Sequence, residues 1–122
     1  TIVVVDGEVL GKPVDQDDFL RMMRLLSGRQ HQVYTAIALA TPELLLSDTV
    51  STAVWFSAMT TAQMLAYWQS GEPADKAGGY GIQGLASRFI PKIEGSYFAV
   101  VGLPLYETDQ LLQQLVAAQG AL

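Results

Sequence analysis

An α/β fold, with a mixed and largely antiparallel sheet flanked by helices, is the class this sequence predicts, and three observations carry it. Two long runs, His31 to Ala40 and Leu44 to Phe56, are rich in β-branched and apolar residues with the period of a strand. Three other stretches place apolar residues at helical spacing behind start signals at Asp15, Thr60 and Pro104. No internal repeat, low-complexity segment or linker separates them, and 122 residues, 50% hydrophobic, suit one domain with a real core.

The elements follow in order. Thr1 to Val5 is a β-branched run, Asp6-Gly7 is a hairpin signal, and Glu8-Val9-Leu10 is the returning strand. Pro13 disfavours helix at Lys12, so Gly11-Lys12-Pro13 leaves the strand extended. Asp15 reads as an N-cap, with Asp17 and Asp18 favourable at the positive helix end; Phe19, Met22, Met23 and Leu26 form the apolar face, and Gly28 ends the helix. Arg21 and Arg24 fall on the solvated face.

His31 to Ala40 carries apolar residues on both faces, Val33, Ile37 and Leu39 on one and Tyr34, Ala36 and Ala38 on the other, which predicts a central strand buried on both sides. Leu44 to Phe56 alternates, with Val50, Val54 and Phe56 opposite Thr49 and Ser51, and should pair antiparallel with it. Thr60 caps a second helix carrying Met64, Leu65 and Trp68, stopped by Gly71 and Pro73. Leu85 to Ile93 reads as extended structure broken by Pro91 at an edge or bulge. Gly95-Ser96 is a turn, Tyr97 to Val101 fits a strand or a short helix, and Pro104 opens a last helix with Glu107 and Asp109 in its first turn. Leu111, Leu112, Leu115 and Val116 should face inward.

Composition excludes several classes. Seven basic against 12 acidic residues, a net charge of −5, disfavours sequence-independent nucleic-acid binding, which needs clustered Lys and Arg. It leaves room for a small phosphorylated ligand held by two or three local cations. The chain has no cysteine, so disulfides and thiolate metal sites are out. No apolar run spans a bilayer, and a soluble cytoplasmic protein without membrane partners is the default expectation.

Chemistry concentrates in Asp75-Lys76-Ala77-Gly78-Gly79-Tyr80-Gly81-Ile82-Gln83-Gly84. Four glycines let the backbone approach a ligand, and a carboxylate, an ammonium, a phenol and a carboxamide are interleaved with them. Alone this is a candidate phosphate- or nucleotide-binding loop, of a kind that is common. Two further segments join it: Gly11-Lys12-Pro13 upstream and Gly95-Ser96-Tyr97-Phe98-Ala99-Val100-Val101-Gly102-Leu103-Pro104-Leu105 downstream.

In that order the three segments resemble the Maf family of nucleoside triphosphate pyrophosphatases, also called septum formation inhibitor-like proteins, over essentially the whole chain. The resemblance implies a Maf/ITPase-like fold and hydrolysis of dTTP and UTP, with modified uridine triphosphates as further substrates, to the monophosphate and pyrophosphate. A divalent metal, Mg²⁺ or Mn²⁺, held by carboxylates would polarise the phosphate and activate water. Maf proteins begin with a Ser-x-Ser-Pro-Arg-Arg loop and carry a catalytic aspartate just before the threonine matched by Thr1. This sequence shows neither, so residues 1–122 read as the C-terminal part of a single Maf-like domain, expected to be inactive alone and to form a homodimer or to pair with the missing N-terminal part.

Each candidate has an ordinary reading beside the functional one. Lys12 is a solvated turn lysine or, as the matching family motif implies, an active-site cation. Lys76 and Asp75 are a surface ion pair, or Lys76 meets phosphate while Asp75 orients it or a metal-bound water. Gln83 finishes a turn, or its amide reads the O4 and N3–H edge of a pyrimidine. The resemblance implicates Gln83 and Thr1 in substrate choice, a related branch acting on 7-methyl-GTP having an acidic residue in place of the glutamine. Tyr80 and Ser96 are further substrate-binding candidates through their hydroxyls, although a Gly-Ser turn needs no ligand. His31 has no Asp or Ser at motif spacing, which argues against a triad or a histidine metal site. Trp55 and Trp68 read as core. The competing class is a nucleotide-binding regulator of cell division without turnover; a fragment that binds nothing is the third.

Overall fold

The computed structural model describes residues 1–120. Five strands, β1 (Ile2–Val5), β2 (Glu8–Leu10), β3 (Gln30–Ala40), β4 (Leu45–Trp55) and β5 (Lys92–Glu94), form one sheet in the order β2-β1-β3-β4-β5, every pairing antiparallel. Four helices accompany them: α1 (Gln16–Leu26), α2 (Thr61–Gln69), α3 (Tyr97–Val101) and α4 (Leu105–Gln119).

Local chemistry accounts for most boundaries. The β1–β2 hairpin turns through Asp6 and Gly7, both at positive φ (51° and 74°), the geometry that matches the strand twist. The Asp15 carboxylate accepts the Asp18 N–H at 2.8 Å and caps α1, and Asp18 returns a bond to the Val14 N–H at 3.0 Å. Phe19, Met23 and Leu26 on α1 are fully buried, each contributing on the order of 1.5–3 kcal/mol by removal from water. A complete capping box starts α2, with Thr60 and Gln63 each satisfying the other's backbone N–H. The Ser96 hydroxyl accepts the Ala99 N–H at 3.0 Å, and this cap decides Tyr97–Val101 in favour of helix.

Three expectations are corrected. The central strand β3 is buried on one face only: His31, Val33 and Thr35 are covered, whereas Tyr34 is intermediate and Ala36 and Ala38 are exposed. Short alanine side chains suit an open face as well as a covered one, so apolar content alone does not distinguish the two. Leu85–Phe89 is a 3₁₀ helix and not extended; Ser87 bonds the Gly84 carbonyl through its hydroxyl and its N–H, and only Lys92–Glu94, beyond Pro91, forms an edge strand. On α4, Leu111 is buried and Leu115 and Val116 are partly covered, but Leu112 is 45% exposed. In α2 the most deeply buried side chain is Tyr67, with Trp68 half-buried against Phe19 at 5.1 Å between ring centroids.

Candidate active site

Between α2 and the short strand β5 the chain makes a series of tight turns, and they form one wall of a cleft of about 430 Å³. The opposite wall is the sheet, through Thr1, Val3 and Val33, with Val100 and Val101 of α3 closing one end. The turns approach the sheet closely because of Gly78. Its φ is +73°, and a Cβ there would lie 2.9 Å from Val3 Cγ2, so a larger residue would force the loop away from β1. The Gly78 N–H bonds the Gly11 carbonyl at 3.0 Å, which ties the Gly11-Lys12-Pro13 segment to the glycine loop.

Of the residues singled out by the sequence, Thr1, Asp75, Lys76, Tyr80 and Gln83 line this one cleft. Lys12 is not among the lining residues; the Gly11–Gly78 bond ties its segment to the glycine loop, and its charge acts on Asp75 as a minor influence. Lys76 Nζ lies 3.2 Å from Asp75 Oδ1, both side chains being largely solvated. That hydrogen bond, and secondarily the charges of Lys76 and Lys12, hold the Asp75 carboxyl below its ordinary value. One cation, Lys76, and one amide, Gln83, therefore share the cleft, and the Gly11–Gly78 bond ties the segment of Lys12 to the same loop.

Other candidates are committed elsewhere. The Tyr80 ring is 5% exposed and its hydroxyl pairs with His31 Nε2 at 2.6 Å, with Phe56 edge-on at 4.8 Å, so it offers the cleft its ring edge and backbone. Burial pushes the Tyr80 phenol up and His31 down, the latter to about 4, so both are neutral near pH 7. Ser96 lies outside the cleft lining: its hydroxyl caps α3, its N–H bonds Thr52 Oγ1 at 3.1 Å, and its carbonyl accepts the same hydroxyl at 3.3 Å. Thr1 Oγ1 bonds Thr35 Oγ1 at 2.9 Å, which fixes the threonine side chain against the sheet wall.

One carboxylate in the cleft escaped sequence reasoning. Glu72 accepts from the buried Tyr67 hydroxyl and from the Leu85 N–H, and it lines the same space. Its position next to Pro73 reads as a helix-end residue, and the bonds that recruit it come from 5 and 13 residues away. Among the described residues no three His, Cys, Asp or Glu side chains cluster to hold a metal ion. Glu72 is already engaged, which leaves Asp75 as the carboxylate open to a cation that takes its remaining ligands from phosphate and water.

The sequence matches the model of the Maf-like protein family over residues 1–115. It is 60% identical over 113 residues to a protein of Pseudoalteromonas translucida named dTTP/UTP pyrophosphatase, covering 93% of this chain and 60% of that protein. Proteins of the same name in Aliivibrio fischeri and Vibrio cholerae are each 58% identical, over 95% and 93% of this chain and 61% of each relative. The chain thus spans about three-fifths of the length of the curated relatives it matches.

Proposed function

The chain belongs to the Maf family, and from that premise we propose that it serves a nucleoside triphosphate pyrophosphatase that converts dTTP and UTP to the monophosphate and pyrophosphate. The observation that carries this reading is the shared cleft of Lys76 and Gln83, with Lys12 on the segment that the Gly11–Gly78 bond ties to the glycine loop. The relatives' name, dTTP/UTP pyrophosphatase, agrees with it.

In this mechanism the two lysines neutralise charge on the phosphate oxygens, strongest where charge accumulates as the bond between the α and β phosphates breaks. Asp75 holds Lys76 in place and offers its second oxygen to a divalent cation, Mg²⁺ or Mn²⁺, which would supply Lewis-acid polarisation of the phosphate. Gln83 donates to O4 and accepts from N3–H of uracil or thymine, a pairing that cytosine, with a donor at N4 and an unprotonated N3, does not complement. Thr1 lies on the sheet wall, and the reading assigns proton abstraction from the attacking water to the family's aspartate at the position before it. The chain is read as belonging to a single Maf-like domain, acting in the cytoplasm and self-associating through its exposed apolar side chains.

Two assays test this. Pyrophosphate release from dTTP and UTP, and not from GTP, by this chain or by the same protein extended to its relatives' length supports the enzyme. Pyrimidine-selective binding without turnover at either length supports the regulator instead. Absence of nucleotide binding overturns both.

A further inference from the structure

Tyr67 and Glu72 lie outside the residues that the motif chemistry singles out, yet they hold both ends of the turn that carries Gln83. Tyr67 is 1% exposed, and its hydroxyl donates to Glu72 Oε2 while accepting the Gly81 N–H at 3.1 Å. Glu72 Oε1 accepts the Leu85 N–H, also at 3.1 Å. Gly81 and Leu85 bracket Ile82, Gln83 and Gly84, and a bond from the Gly84 N–H to the Gly81 carbonyl closes the turn between them.

The sequence makes room for this arrangement at Gly84. A Cβ at that position would fall inside the Glu72 carboxylate, although the φ of −101° does not itself demand glycine. The glycine is therefore needed by the carboxylate. Burial and the adjoining carboxylate push the Tyr67 phenol up, so it remains a donor to Glu72 at every pH at which the protein works.

We propose that the Tyr67–Glu72 pair positions Gln83 for base selection, an inference that rests on the pyrimidine reading of the cleft. Neither residue need touch the nucleotide. A carboxamide reads a base edge only from a defined position, and bonds at Gly81 and Leu85 fix the Gln83 backbone, and with it the direction in which its side chain leaves, without using the amide itself. The phosphate end of the cleft depends on Lys76 and Lys12, which the pair does not hydrogen-bond.

The test compares affinities of the chain for UTP, CTP and inorganic pyrophosphate in Y67F, Q83A and the Y67F/Q83A double variant. Y67F keeps the ring and removes the hydroxyl, so the UTP-to-CTP preference should fall about tenfold, the scale of one charge-assisted hydrogen bond, while pyrophosphate affinity stays within about twofold. The double variant should lose no more preference than Q83A alone, because Tyr67 acts through Gln83. An undiminished preference in Y67F, losses that add fully, or equal weakening of UTP and pyrophosphate would each overturn the proposal. Should Y67F fail to fold, G84A takes its place with the same expected and overturning results, since its added Cβ displaces only the end of the Glu72 side chain.

Amide hydrogen exchange separates this inference from the reading beneath it. If the wild-type chain shows no preference for UTP over CTP, the reading of Gln83 as the base-selecting amide fails and the positioning role falls with it. Faster exchange at Gly81 and Leu85 in Y67F would then still uphold the pinned turn. If the wild type does prefer UTP but those amides exchange unchanged in Y67F, the pair's role alone is overturned.

Discussion

At the scale of single residues, His31 gives the clearest pH signature. Burial holds its folded pKa at about 4 against a reference of 6.5. Above pH 6.5 the ring is neutral in both states and contributes no pH dependence. Between 6.5 and 4 the unfolded chain binds a proton that the folded chain refuses, so stability falls as pH drops through this window and levels off below it. The total loss is about 3 kcal/mol at most. Urea unfolding at pH 7.5, 6, 5 and 4 should show that decline. H31Q, which can still bond the Tyr80 hydroxyl, should flatten it; an equally steep decline in H31Q would move the effect to other groups. His31 also illustrates what sequence can and cannot tell. Its isolation from any catalytic partner is legible, but its partnership with Tyr80, 49 residues away, exists only in the folded chain. Lys76 and Gln83 were readable because their motif is contiguous. Tyr67 and Glu72 were not, because the bonds that define their role join them to Gly81 and Leu85 across the turns.

At the scale of elements, the predictions follow from caps and close approaches. Removing the Thr60 hydroxyl in T60A should cost about 1 kcal/mol, since it opens the capping box of α2 and leaves the Gln63 N–H without its partner. Thermal unfolding checks it, and a shift indistinguishable from zero would mean that α2 is held by Tyr67 and Met64 burial alone. G78A should cost more, on the order of 1–3 kcal/mol, because it combines a positive φ with a 2.9 Å approach to Val3, and it should loosen the cleft as well. The helix starts were legible for the reason these variants are informative: a cap is a local bond within four residues. Leu85–Phe89 was misread as extended because its turn is stabilised partly by a carboxylate 13 residues upstream. The second face of β3 was misread because Ala36 and Ala38 satisfy a covered and an open sheet equally.

At the scale of the whole molecule, one face of the sheet and the last two helices leave large apolar side chains in solvent. Tyr97, Phe98, Val101, Leu103, Leu105 and Tyr106 are all at least 40% exposed. Such a run exceeds what scattered surface residues explain, and self-association should bury it. Light scattering across a concentration series should report a mass above that of the 13.2 kDa monomer, and a monodisperse monomer at every concentration would count against this expectation. Among the described residues no helix is long and apolar enough to cross a membrane, so the patch is not a transmembrane helix. The fold places Lys76 and Gln83 in one cleft and ties the segment of Lys12 to the same glycine loop, and the account rests on that arrangement.

Titration of the chain and of K76A and Q83A with UTP and CTP tests it most directly. The account predicts that wild type prefers UTP, that K76A weakens both nucleotides alike, and that Q83A erases the preference while retaining phosphate-driven affinity. Equal affinity of the wild type for the two nucleotides, or a preference untouched in Q83A, would contradict it.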